Sequence, residues 1–378
     1  MQIWDYLFEV FAKEGVIMSG ILALLLCVII KDLRIRNPEE SPDAYLHPSN
    51  TYSVLGLFTI LIFFSHYVTY IPTGELDTTY LALKKHLGQM VVVPFFFFSG
   101  YGMTVSVIKK GSGYLRSVIS KRIPSVLLSF VVAVLLYWLL QTVRGNTYTP
   151  DRVLLSLIGW EGLGNSNWFI FGILGEYLLF FISFLLLCIR KDTGKGWLLL
   201  AGAVLVTGLT LLFALWIRSQ GKDKYFYNTL MLFPAGVWWG LLHKYPERIL
   251  RKNNVVYGLA CLLALMVYVY AFYRREHLLW YTVWGYMFMA ILLLFMMRMS
   301  VHSPLLEFFG RHIFSIYILQ RIPMILLSDL KWTSKLPHVC LAIALVSTCL
   351  MAVLFDLGKK KAERIIWPPG QKPLTVQS

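Results

Sequence analysis

The chain has 378 residues, of which 57% are hydrophobic and only 15% charged. A water-soluble domain is roughly 45–50% apolar and about 25% charged, so this much apolar surface has to meet lipid. Soluble enzyme, secreted disulfide scaffold and disordered tail are excluded, and the net charge of +15 reads as the basic bias of cytoplasmic loops, not as a nucleic-acid footprint.

A membrane span needs about 20 mostly apolar residues. By that rule the sequence predicts about eleven, at 15–30, 52–71, 87–108, 124–143, 167–189, 197–217, 230–243, 255–272, 278–297, 312–327 and 337–357. A lone span must satisfy its own backbone hydrogen bonds, so the expected fold class is all-α, a polytopic transmembrane helix bundle. The first fourteen residues carry Asp5, Glu9, Lys13 and Glu14 and no small-residue cleavage site follows the first apolar run, which argues against a cleavable signal peptide. Residues 1–50 are then an N-terminal helix with a linker, 51–358 a membrane domain and 359–378 a basic tail.

Alternate connections hold 22 and 12 Lys and Arg. The richer set, with Arg116, Lys121, Arg122 and the tail from Lys359, is expected to face the cytoplasm, leaving the N-terminus outside and the C-terminus inside. The longest outer connection, 144–166, holds Asp151, Trp160, Glu161 and four glycines and is placed to cover an outward-facing site. Cys27, Cys188, Cys261, Cys340 and Cys349 lie in apolar runs with no CxxC pattern or clustered histidine, so they read as small hydrophobes and no metal is expected.

An ionisable side chain inside a span is unfavourable in hydrocarbon and is therefore a functional candidate. His66 lies in the outer third of the second span, Glu176 near the middle of the fifth and Arg321 near the middle of the tenth. Glu176 either orients His66 or pairs with Arg321, an ion pair that would be tolerable in low dielectric without any chemistry. Asp356 is expected to reach interfacial water beside Lys359 and Lys360. After the four rings Phe95 to Phe98, the small residues Ser99, Gly100 and Gly102 allow either close helix packing or the close approach of a ligand. The run from Tyr114 to Pro124, with Arg116, Lys121 and Arg122, is either a solvated loop or a phosphate-binding rim.

In this order, His66, the stretch 95–102, Arg122-Ile123-Pro124, Asn167-Trp168-Phe169, Phe233-Pro234-Ala235-Gly236 and the run from Leu306 to Gln320 resemble the acyltransferase 3 family of integral membrane acyltransferases, over residues 52–357. The resemblance implies a ten-helix core, with 15–30 as an added N-terminal helix. It also implies a cytoplasmic acyl-CoA donor, acetyl-CoA being the frequent one, with no metal. The acceptor would be a hydroxyl of a cell-envelope glycan or lipid-linked saccharide, modified at the plasma membrane. Membrane lipid is then a partner, nucleic acid is not, and the oligomeric state is left open, a homodimer included.

The chain departs from the family pattern at several positions. Leu55 stands where an Arg often precedes the histidine by eleven residues, and Ile119 where an Arg-x-x-Arg pair would begin, so that Arg116 or Lys121 stands in for it. In the last signature Ile313, Ile318 and Gln320 replace Ser, Leu and His. For the site, the resemblance implies that Arg116, Lys121 and Arg122 hold the nucleotide end of acyl-CoA. His66, with an ordinary imidazole pKa of about 6.5, accepts the hydroxyl proton near neutral pH, or carries the acyl group itself. Ser99 and Arg321 lie on the channel, and Asn167, Trp168 or Tyr317 supplies the oxyanion donor. An exporter or flippase of a glycan or lipid intermediate is the alternative from another class, and a non-catalytic acyl-CoA sensor is a third reading.

Overall fold

A computed structural model of the chain describes residues 31–36, 42–71, 78–185, 196–330, 333 and 336–367, together with 20, 23 and 27. The expected span at 15–30 lies outside the described residues apart from those three. In chain order the helices are α1 (Pro48–Tyr70), α2 (Thr78–Leu87), α3 (Val93–Ser117), α4 (Ile123–Val143), α5 (Pro150–Leu157), α6 (Trp168–Ser183), α7 (Gly196–Ser219) and α8 (Leu232–Leu242). They continue with α9 (Lys244–Lys252), α10 (Asn254–Tyr273), α11 (Leu278–Arg298), α12 (Pro304–Arg311), α13 (Ile313–Leu319), α14 (Arg321–Ser328) and α15 (Pro337–Ile366). Each segment expected as a span from residue 52 onward overlaps at least one of them. Among the described residues, six helical stretches are long and apolar enough to cross a membrane, one running through both α3 and α4. Three shorter apolar helices, Trp168–Ser183, Leu232–Leu242 and Ile313–Ser328, accompany them. The chain is a helical membrane protein.

Proline opens many of these helices: Pro48, Pro94, Pro124, Pro150, Pro304 and Pro337 all sit in a first turn, where the missing N–H would have had no partner. Pro323 acts differently. In one helix from 313 to 328 its ring would clash with the carbonyl of Leu319, and the helix breaks at Gln320. Gly111, at φ +61°, interrupts α3, and a π-helical turn, Val118–Arg122, carries the chain into α4.

Three features go beyond the sequence expectations. A short antiparallel pair, β1 (Leu33–Ile35) with β2 (Met299–Val301), accompanies the helices. The Arg36 backbone N–H extends it by donating to Arg298 O at 2.9 Å. The boundary at 50/51 falls inside α1, and Tyr45 ahead of it is buried, donating to Glu247 and accepting from Trp239 Nε1 at 3.1 Å. At the other end α15 runs on to Ile366, so the basic segment from 359 begins as helix and not as a separate tail.

Glycine fixes two backbone-to-backbone contacts. A Cβ on Gly100 would lie 2.1 Å from Phe233 O and one on Gly236 1.9 Å from Phe97 O, which locks α3 to α8. Likewise a Cβ on Gly56 would lie 1.8 Å from Leu306 O and one on Gly310 1.9 Å from Tyr52 O, locking α1 to α12. Small residues permit such approach where apolar helices gain nothing from leaving lipid. With α1 and α3 each held by its own partner, the space between them stays open. Gly236→Ala is expected to destabilise the protein by about 1–3 kcal/mol through overpacking, lowering its unfolding midpoint in detergent. Gly208→Ala, whose Cβ would meet nothing within 4 Å, should leave the midpoint unchanged.

Candidate active site

One stripe of α1 lines two cavities. Thr51, Tyr52, Leu55, Thr59 and Ile62 face a cavity of about 510 Å³ that also holds Arg122. Ile62, Ser65 and His66 face a second, of about 520 Å³. These positions recur at helical spacing, so they share one face. At 1.5 Å per residue, Tyr52 and His66 are about 21 Å apart along the axis, so the cavities occupy opposite ends of the bundle. Ile62, Val92 and Tyr317 belong to the walls of both and form the partition between them.

The Arg122 cavity is walled largely by apolar side chains. From α6 it takes Phe169, Ile173 and Tyr177, each one turn after the last; from α3 it takes Phe95, Phe98, Ser99 and Gly102. The small-residue run of α3 thus divides: Gly100 is used for helix contact, whereas Ser99 and Gly102 face the void. Arg122 donates to the hydroxyls of Tyr114 at 3.1 Å and Tyr177 at 3.0 Å, and its guanidinium lies 4.6 Å from the Tyr177 ring centroid. Arg122 also borders a recess of about 620 Å³ shared with Lys121, Lys360, Arg364 and Trp367. Ser125, which donates to Glu363, ties α15 to α4 there. Arg116 is exposed and is not among the side chains lining these spaces. Arg311 lines the Arg122 cavity along with Leu55.

The His66 cavity is polar. Its walls come from the loop at 158–167 and the turn after α7, and include Trp160, Glu161, Asn165, Asn167, Trp168, Lys222 and Tyr225. Lys222 joins the two segments, donating to Glu161 Oε1 at 2.8 Å and Trp160 O at 2.9 Å, with its ammonium 4.4 Å from the Trp160 ring centroid. Tyr70 and Tyr317 hold the loop from below, donating to Gly164 O at 3.0 Å and Ser166 O at 3.1 Å. Burial, with the neighbouring Asp223 carboxylate, pushes the Tyr225 hydroxyl up to about 12, so it stays protonated.

Four buried polar atoms of cavity-lining residues have no hydrogen-bond partner among the described residues: His66 Nδ1, Asn167 Oδ1, Gln320 Oε1 and Arg321 Nε. Buried polar groups are ordinarily satisfied, so these four atoms are open to a ligand or to water filling the cavities. The His66 and Tyr317 rings lie 6.4 Å apart between centroids, which puts the imidazole beside the partition.

The remaining sequence candidates fall elsewhere. Glu176 neither orients His66 nor pairs with Arg321. Its Oε2 accepts from Thr210 at 2.7 Å and its Oε1 has no partner. The physical reason is rotation: Phe169, Ile173 and Tyr177 face the cavity, and Glu176, turned about 100° from Tyr177, faces α7. Tyr317 spends its one proton on Ser166 O and so has none left for an oxyanion. Asn167 donates to Glu161 O at 2.5 Å through one amide hydrogen and keeps a second. Asp356 does not simply reach interfacial water; its Oδ2 is 2.5 Å from His312 Nδ1 and its other oxygen accepts from Ser315. The residues that sequence reasoning missed are Arg311 and the face formed by Lys360, Arg364 and Trp367. Their spacing of four and three residues was a legible sign of one helix face.

Tyr317→Phe is expected to release the loop at Ser166. Amide hydrogens in 160–166 should exchange faster in the variant, while protection of α3 and α8 stays unchanged. A family model described as an acyltransferase domain matches residues 56–357, most of the chain. No curated protein and no solved structure matches.

Proposed function

Because the chain belongs to the acyltransferase 3 family and is a membrane acyltransferase, we propose that it moves an acyl group, acetyl in the first instance, from cytoplasmic acyl-CoA to a hydroxyl of a cell-envelope glycan or lipid-linked saccharide. The observation that carries this reading is the pair of cavities meeting at Ile62, Val92 and Tyr317. A donor confined to one side of a membrane and an acceptor confined to the other need such an arrangement.

The end bearing Lys121 and Arg122 is the cytoplasmic one, in keeping with the excess of Lys and Arg on that side, and the membrane is the plasma membrane. Lys121, Arg122, Lys360 and Arg364 offer fork and ammonium donors to the phosphates of the nucleotide end, and Arg311, ion-paired with Glu307, stands at the cavity wall. The apolar Arg122 cavity takes the thin pantetheine arm past Ser99 and brings the thioester to the partition. From Tyr52 to Ile62 this is about 15 Å of helix. On the far side the aromatic and amide walls of the His66 cavity suit a sugar ring.

His66 accepts the proton of the acceptor hydroxyl, and the freed oxygen attacks the thioester carbonyl. The tetrahedral oxyanion is met by the remaining Asn167 amide hydrogen or the Trp168 indole, since Tyr317 is engaged. Collapse breaks the carbon–sulfur bond, and the CoA thiolate leaves with the proton from the imidazolium. Glu176 takes no part in these steps.

His66→Ala, checked for folding by its unfolding midpoint, is expected to transfer acyl groups about 10²–10⁴-fold more slowly, the range of positioned general-base catalysis. Its affinity for acyl-CoA should be unchanged. The measurement is acyl transfer from radiolabelled acetyl-CoA to envelope glycan, and undiminished transfer in the folded variant would remove His66 from the mechanism.

A further inference from the structure

Arg321 carries a charge that the acyl transfer described above does not use. It opens α14 directly after the break at Gln320, and it lines the His66 cavity. A guanidinium stays charged at any pH a cell reaches, and inside a membrane bundle such a charge ordinarily meets a carboxylate or a backbone carbonyl. Arg321 meets neither among the described residues. Its Nη1 lies 3.5 Å from the Tyr70 hydroxyl, its guanidinium carbon 5.8 Å from the Tyr70 ring centroid, and its Nε has no partner.

The described carboxylates nearest this cavity are engaged elsewhere or exposed. Lys222 holds Glu161 at 2.8 Å, and Arg144 takes both oxygens of Asp329 at 2.6 and 2.8 Å. Asp223 lines the same cavity but is exposed beside Tyr225, where water screens it. Arg321, in the same lining as His66, is thus bonded to no described carboxylate.

We infer that the acceptor supplies a counter-charge: it bears a carboxylate or phosphate group close to the hydroxyl that is acylated, and Arg321 binds this group while His66 faces the hydroxyl. This rests on the acyltransferase reading only in naming the occupant of the His66 cavity as the acceptor. An acidic sugar and the phosphate of a lipid-linked saccharide share the chemistry required. Arg321 is thus a specificity-determining residue, and a neutral glycan is a poor acceptor.

Equilibrium binding to the full chain in detergent tests this with three trisaccharides that differ only in the terminal residue: glucuronate, glucose 6-phosphate or glucose. A charge-assisted hydrogen bond predicts that at least one charged probe binds about tenfold or more tightly than the neutral one. Preference for glucuronate would point to an acidic sugar, and preference for the phosphate probe to a phosphorylated carrier. Arg321→Gln is expected to erase the preference and Arg321→Lys to keep most of it. Equal binding of the three probes to the unaltered protein overturns the inference, as does a preference that survives in Arg321→Gln. Because binding is read without turnover, charge preference in a protein that transfers no acyl group would count against the reaction and leave the role of Arg321 standing.

Discussion

A polar side chain that exchanges water for hydrocarbon must find a partner or a water-filled space, and in this bundle that requirement decides where each polar group goes. Most find partners. Glu176 turns to Thr210, Asp356 to His312 and Ser315, and Lys222 to Glu161 and the Trp160 carbonyl. His66, Asn167, Gln320 and Arg321 keep unpartnered atoms, and all four residues border the two cavities. On the reading proposed above these four mark the substrate path, whereas unpartnered atoms away from the cavities, such as Glu176 Oε1 and Ser183 Oγ, do not.

The fold makes room for that path by spending glycine elsewhere. Gly56 and Gly310 hold α1 on α12, and Gly100 and Gly236 hold α3 on α8, so α1 and α3 need not pack against each other along their length. One stripe of α1 then serves both cavities, with Tyr52 near one end, Ile62 in the partition and His66 beyond it. Opposite, Pro323 breaks the helix at Gln320, so that Gln320 lines one cavity and Arg321 the other. A two-sided site arises from one straight helix facing one broken one.

Much of this was legible in the chain. Apolar run length located the long apolar helices from residue 52 onward, because hydrocarbon demands it, but not the short α2, α5, α9 and α12. The positions Leu55 and His66, eleven residues apart and so three turns along one face, both line the α1 stripe. Other features were hidden for physical reasons. Three-residue strands are too short to show an alternating pattern, so the pairing of Leu33–Ile35 with Met299–Val301 left no trace in the sequence. The partner of Glu176 depends on which helix lies beside α6, and that of Asp356 on where α13 meets α15; neither follows from local spacing. The recess formed by Lys360, Arg364 and Trp367 was masked by reading the segment after 358 as a tail rather than as the last turns of α15.

The central claim is that a thioester admitted at the Arg122 end meets a hydroxyl admitted at the His66 end. Sealed proteoliposomes holding the protein in one orientation, loaded with acetyl-CoA on one face and saccharide acceptor on the other, test it most directly. The account predicts acylated product when the donor is on the Lys121 and Arg122 face and the acceptor on the Lys222 face, and none with the two exchanged. Product formed only when both substrates share a face would contradict it.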